Sequence, residues 1–188
     1  MTHNIVLLAP HHLDDVWRIE QAAHAYPWAE SLIRKEPNKI ALNCALEVDG
    51  QLVGYCFGQL VAGEATLLNI AIDPAWQGKG MGKTLLEGFI ALLEARNAEE
   101  IWLEVRESNT RAYQLYESLG FNEINRREGY YPAENGREDA LIMTYLVMYL
   151  RHGLPNTEAS YRCLFWWSLR IIPPSLCFYL PLCLCRDT

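Results

Sequence analysis

The sequence predicts a mixed α/β domain built on one mostly antiparallel sheet with helices on both faces. Three observations carry that expectation. Asp49-Gly50 separates two runs of strand-forming residues, 40–48 and 51–61, as a two-residue hairpin turn does. Leu67 to Asp73 is an apolar, branched run ended by Pro74; a glycine-rich loop follows, and then a helical period at Met81, Leu85, Leu86, Phe89, Ile90, Leu92 and Leu93. Ile101 to Arg106 alternates, with Ile101, Leu103 and Val105 on one face and Trp102, Glu104 and Arg106 on the other. A chain of 188 residues, 51% of them hydrophobic, is long enough to close a core around such a sheet.

In chain order, Ile5 to Ala9 reads as an edge strand. His11 to Ala23 reads as a helix with Leu13, Val16, Trp17, Ile19 and Ala23 on or near one face. His11 and His12 point in different directions on a helix, so they do not form a metal site. Tyr26-Pro27-Trp28 breaks that helix, and residues 29–35 form a second short one. The aromatics beside the proline either line a substrate groove or lie over the core as a lid. A regular two-residue turn at Asp49-Gly50 sets Val48 beside Gln51 and Cys44 opposite Tyr55. Cys56 then faces the other side of the sheet, so the two thiols stay unbonded, as suits a reducing cytosol. Residues 64–72 supply a third antiparallel strand. Ser108-Asn109 is a helix-cap signal for a helix over 110–119 that Gly120 closes. Residues 121–124 and 139–147 read as two more strands with a long loop between them.

The glycine loop carries the chemistry. Between a strand and a helix, free backbone N–H groups backed by the helix dipole favour an anion, usually a phosphate. Lys79 and Lys83 add positive charge to the loop. The ATP-type loop is excluded, because its first glycine would fall at Gln77. The dinucleotide fingerprint fails too, because its last glycine would fall at Lys83. Net charge is −7, which argues against general nucleic-acid binding and is compatible with a basic peptide or an amine as substrate. Met1-Thr2-His3-Asn4 shows no basic leader ahead of an apolar run, which with the free thiols gives a cytoplasmic expectation.

Gln77-Gly78-Lys79-Gly80-Met81-Gly82 does fit the pattern Gln/Arg-x-x-Gly-x-Gly/Ala, and so resembles the coenzyme A pyrophosphate loop of the GNAT family of N-acetyltransferases. Asn109-x-x-Ala112-x-x-Leu115-Tyr116-x-x-x-Gly120-Phe121 matches the second half of that family's pattern. Further matches resemble the branch of the family that acetylates the N-terminal alanine of a ribosomal protein. They are His24-Ala25-Tyr26-Pro27-Trp28, Glu64-Ala65-Thr66-Leu67, Trp102 to Arg106, Tyr130-Tyr131-Pro132, and Gly136 to Ala140. Together the matches cover about residues 4 to 143.

The resemblance implies the GNAT fold and acetyl-coenzyme A as cosubstrate, with no metal. It implies that Ile70, Ala71 and Ile72 hold the acetyl-pantetheine arm and that Gly78, Lys79, Gly80, Met81, Gly82 and Lys83 hold the pyrophosphate. Asn109 is implied to contact the same molecule. Acetyl transfer to an amine needs a base for the ammonium proton, donors for the developing oxyanion and an acid for the leaving thiolate. Glu104 is the candidate base, on the strand face opposite Leu103 and Val105; the competing reading is a strand carboxylate paired with Arg106 or Arg111. Tyr116 is the candidate acid, since a phenol near pKa 10 suits donation to a thiolate. Its competing role is packing.

The implied partner is a protein N-terminus, that of a ribosomal protein. Glu128, Glu134, Glu138 and Asp139 either attract its basic segment or are solvated charge. The alternatives are an acetyltransferase for a small amine or for many protein N-termini, and a coenzyme-A-binding module without turnover. The domain is expected over 1–150. Residues 151–188 read as a poorly ordered appendage outside it, such as a reading-frame product joined after about Met143; the alternatives are a strand or loop extension packed on the domain and a membrane anchor. Cys163 to Cys185 is long and apolar enough for a bilayer, but Pro173-Pro174, Pro181 and Arg170 oppose a spanning helix. Its thiols, with Cys183-x-Cys185, lack the spacing of a metal site.

Overall fold

The computed structural model describes residues 2–147. The expectations for residues 151–188, membrane contact among them, lie outside these described residues. The described chain runs β1 (His3–Leu7), α1 (Leu13–Ala23), α2 (Glu30–Ile33), β2 (Cys44–Val48), β3 (Gln51–Val61) and β4 (Glu64–Ile72). It continues with α3 (Met81–Glu94), β5 (Glu100–Arg106), α4 (Thr110–Ser118), β6 (Asn122–Ala133) and β7 (Gly136–Leu146). The strands make one seven-stranded sheet in the order β1-β2-β3-β4-β5-β7-β6. All neighbouring pairs are antiparallel except β4 and β5, which α3 connects as a crossover helix.

The two faces of the sheet carry separate cores. Val16 and Ile19 of α1 and Ile33 of α2 pack on Ala45, Leu52, Tyr55, Phe57 and Ala71. On the opposite face, Leu85, Leu86, Phe89 and Leu93 of α3 and Tyr116 of α4 cover Cys56, Leu67, Ile101 and Leu103. The alternation read in 101–106 is exact in burial: Ile101, Leu103 and Val105 are buried and their neighbours half-buried. Asn109 caps α4 by accepting the Ala112 N–H at 3.1 Å, the cap that its residue type forecast. Val147 is buried and its N–H donates to the Glu99 carbonyl at 2.9 Å, so the sheet domain continues past Met143.

Two expectations are overturned. The hairpin turn is where it was expected, with Asp49 at φ 49° and Gly50 at φ 83° and Val48 paired to Gln51. Val53, however, is an extra residue on β3, because the pairing steps from Glu47–Leu52 to Leu46–Gly54. That bulge turns the rest of β3 by one position. Cys44 therefore faces Cys56, not Tyr55, and both thiols lie on the α3–α4 face with sulfurs 2.9 Å apart. Both are free. The second correction is the long loop before the last strand. β6 runs to Ala133 and returns through Glu134-Asn135 into β7, so Tyr130-Tyr131-Pro132 lies in a strand. Pro132 is tolerated because β6 is the sheet edge, where no outer neighbour needs its missing N–H.

Candidate active site

β4 and β5 pair from Glu64–Glu100 to Leu67–Leu103 and then part. β4 stays on β3 through Ile72, and β5 stays on β7 through Arg106. Among the described residues, the β5-facing edge of 68–72 is thus left without a strand partner; the Ile72 carbonyl accepts from Gln77 Nε2 at 3.0 Å, and backbone groups elsewhere along this edge can bind a ligand. A cavity of about 180 Å³ fills the fork. Ile70 on one prong, Glu104 on the other, and Asn109 and Tyr116 from the α4 side all line it. Four of the residues singled out in the sequence therefore meet in one place. Ala71 and Ile72 do not line the cavity; their side chains pack into the two cores.

Glu104 faces the cavity with an 18% exposed side chain and pairs with Arg127 of β6, Nη1 to Oε1 at 3.0 Å. Neither Arg106 nor Arg111 is this partner: Arg106 is held by Glu138 and the Pro132 carbonyl, and Arg111 donates to Gln77. Burial raises the Glu104 carboxyl above the usual carboxylate range, and Arg127 and a hydrogen bond from Tyr130 offset only part of that rise. Tyr116 is 6% exposed, and its ring packs on Phe121 at 5.8 Å. Burial, and then the neighbouring Cys56, push its phenol well above 10, so it remains a proton carrier at neutral pH.

Tyr26 and Trp28 line the opposite wall, as the groove reading of these aromatics has it, whereas Glu20 beside them was not foreseen. Glu20, on the buried stripe of α1, is 1% exposed and lines the cavity. Its Oε1 accepts the Trp28 N–H at 2.6 Å; its Oε2 accepts from Asn69 Nδ2 at 3.1 Å and from the Tyr55 hydroxyl. One buried carboxylate thus ties the 24–28 segment to β3 and β4. The signal was present, because Val16, Ile19, Glu20 and Ala23 share one helical period. Arg106 closes the same wall from β5, with its guanidinium 4.6 Å from the Tyr26 ring and 4.4 Å from the Tyr131 ring. Of the four acidic residues considered as substrate attractants, Glu138 is committed to Arg106 and Ser108. Asp139 accepts the Gly129 N–H. Glu128 and Glu134 are exposed.

The glycine loop lies at the N-terminus of α3. Gly78 (φ 76°) and Gly80 (φ 81°) adopt left-handed backbone, and no atom lies within 4 Å of where a Cβ would stand on either. The loop surface is therefore bare backbone, the shape a pyrophosphate needs. Gly82 serves packing as well, since a Cβ there would stand 3.3 Å from Leu115 of α4. Met81 is buried, so it offers the loop only its backbone. Lys79 Nζ donates back to the Ala75 carbonyl at 2.9 Å, and Lys83 lies 3.8 Å from Glu87. The loop is anchored through Asp73, which accepts the Ala75 N–H and pairs with Arg18 of α1 at 2.6 Å. No group of three or more His, Cys, Asp or Glu among the described residues could hold a metal ion. No helix among them is long and apolar enough to cross a membrane.

A forked sheet with a bare glycine loop at the crossover helix is the architecture of an acyl-coenzyme A-dependent transferase. The family model for acetyltransferases of the GNAT family matches residues 9–121, and the chain belongs to that family. The [ribosomal protein bS18]-alanine N-acetyltransferase of Salmonella typhimurium is 46% identical over 141 residues, covering 75% of this chain and 95% of that protein. Its counterpart from Escherichia coli K12 is 48% identical over 131 residues, 70% of this chain and 88% of that one. A crystal structure of the ribosomal-protein-S18-alanine N-acetyltransferase from Escherichia coli superposes with a TM-score of 0.74 at 44% identity, covering 78% of this chain and 94% of that one.

Proposed function

We propose that this protein transfers the acetyl group of acetyl-coenzyme A to the N-terminal α-amine of a protein, and that its substrate is the N-terminal alanine of ribosomal protein bS18. The observation that carries the reading is the meeting of Glu104 and Tyr116 in the cavity between β4 and β5. The names of the relatives support the choice of substrate over a small amine or a broad set of N-termini.

Acetyl-coenzyme A supplies a thioester, an acetyl group already activated toward an amine. The backbone N–H groups of Gly78, Lys79, Gly80, Met81, Gly82 and Lys83, at the positive end of α3, hold its pyrophosphate. The unpaired edge at Ile70, Ala71 and Ile72 receives the pantetheine arm and donates to the acetyl oxygen as negative charge grows there. Asn109, at the head of α4, borders the same arm. Glu104 takes the proton from the substrate ammonium, whose pKa near 8 is within reach of a carboxylate raised by burial. The freed amine forms the C–N bond as the C–S bond breaks, and Tyr116 gives its proton to the departing sulfur. Glu104 passes the first proton to solvent and takes the second, which the nitrogen sheds as the amide forms; Tyr116 regains its proton from solvent, so one proton is released per acetyl group transferred. The catalytic unit is residues 1–150, with 151–188 outside it.

The test is to incubate the full chain with acetyl-coenzyme A and a peptide bearing the bS18 N-terminus, and to weigh the product by mass spectrometry. One added acetyl group on the α-amine is expected. Spermidine and a peptide with a blocked N-terminus but a free lysine serve as competitors. Preferred acetylation of either competitor refutes the substrate assignment, and thioester binding without turnover refutes the enzyme reading.

A further inference from the structure

Arg127 stands outside every role given so far, yet it holds the candidate base. Its guanidinium lies 3.0 Å from Glu104 Oε1 and 5.3 Å from the Tyr130 ring. A cation thus already occupies the carboxylate that must receive the substrate's cationic ammonium. Both cannot make that contact at once. A carboxylate that keeps a guanidinium partner is also a poorer proton acceptor, because the partner favours its charged form.

The surroundings let Arg127 leave. Its side chain is 40% exposed, so water competes for the guanidinium even though the carboxylate it holds is largely buried. It sits on β6, the sheet edge, at the start of an irregularity where pairing jumps from Arg127–Ala140 to Tyr131–Glu138. Gly129, at φ 55°, lies in that bulge. The guanidinium therefore has solvent on its outer side and an aromatic face to rest on. The other cation near the carboxylate is not free to follow, since Arg106 is fixed by Glu138, Pro132 and two tyrosine rings.

We propose that Arg127 is a counter-ion that holds Glu104 in the free protein and yields it to the incoming N-terminal ammonium, so that the base is released only when substrate is seated. The proposal rests on the reading of Glu104 as base. The exchange moves no proton by itself. Arg127 swings to solvent as a cation, the ammonium replaces it, and its proton then passes to a carboxylate left in a drier, uncompensated setting. The titratable groups facing Glu104 are Arg127, Tyr130 and Tyr131 from β6, and Tyr116 of α4 lines the same cavity. Arg106 of β5 borders the cavity beside it, and Glu20, His24 and Tyr26 line its other wall. Of these, Arg127 alone pairs directly with Glu104 as an ion and is exposed enough to depart.

Arg127→Gln and Arg127→Lys in the full chain test this, with Glu104→Gln alongside. The profile of kcat/KM against pH reports the free enzyme, where Arg127 lowers the carboxyl; the profile of kcat reports the complex, where Arg127 has left. Arg127→Gln should therefore move the acidic limb of kcat/KM up by about half a pH unit or more, leave the limb of kcat in place, and lower KM for peptide about two- to five-fold. Arg127→Lys should stay near wild type. Carbon-13 NMR titration of the Glu104 carboxyl without substrate should show the same upward move in Arg127→Gln, a readout independent of turnover. Equal movement of both limbs would mean that Arg127 stays on Glu104 in the complex, which overturns the exchange. No movement in either limb or in the NMR titration, with Glu104→Gln inactive, reduces Arg127 to a surface pair and leaves the base reading standing. A Glu104→Gln enzyme with wild-type profiles removes the base itself, and the proposal with it.

Discussion

Replacing Glu20 by alanine tests how much of the cavity wall hangs on one buried carboxylate. The substitution leaves the Tyr55 hydroxyl, on a residue with no exposure, and the Trp28 N–H without their acceptor. Each buried donor left unsatisfied costs about 1–3 kcal/mol. Asn69 is half-buried and can turn its amide toward water, so it adds little. The buried Tyr55 hydroxyl at the middle of that range and the part-buried Trp28 N–H at or below it give a loss of about 3–4 kcal/mol, against roughly 5–15 kcal/mol for a whole domain. In a protein of this size the midpoint of thermal unfolding should fall by about 6–16 °C. Urea unfolding followed by tryptophan fluorescence measures the loss directly, and the Tyr55→Phe variant supplies the control. Tyr55→Phe removes a donor and leaves the carboxylate two others, so it should cost less than Glu20→Ala. The double variant should cost less than the sum of the two, because no hydroxyl is then orphaned. Strict additivity, or a Glu20→Ala loss under about 1 kcal/mol, would mean that water or a rearranged partner satisfies these donors and the wall does not depend on Glu20.

Glu104→Gln should lower kcat/KM by about 100-fold or more near neutral pH. Because burial raises the carboxyl, wild-type activity should fall as pH drops through a value above the ordinary carboxylate range, and that limb should vanish in the variant; a retained limb assigns it to another group. Tyr116→Phe keeps the ring contact with Phe121, so kcat should fall while coenzyme A affinity, measured by calorimetry, holds; a large loss of affinity would make the hydroxyl a binding group. A chain stopped after Leu150 should stay folded and keep acetyl transfer, as judged by circular dichroism and turnover. Loss of either would place residues 151–188 within the working domain.

What the sequence made legible was local. The cap at Asn109, the alternation over 101–106 and the loop at 77–82 each rest on residues within a turn or a strand of one another, where propensity and period act. The bulge at Val53 has no such signature, and one extra residue was enough to bring Cys56 across the sheet to Cys44. The 122–146 hairpin was hidden for a related reason: Pro132 reads as a break until the strand is known to be an edge. Glu20 lay between these cases. A glutamate on a buried helical stripe is costly unless donors meet it, so its position alone implied partners, although Tyr55 and Asn69, far along the chain, could not be named.

Arg127 had no signal at all. Its contact with Glu104 depends on which face of β6 it takes, and the two irregularities in the pairing of β6 with β7 set that face. Periodicity would carry an argument about facing across one regular strand, but not across a strand interrupted twice. The partner of Glu104 is therefore one that only the assembled sheet could bring to it.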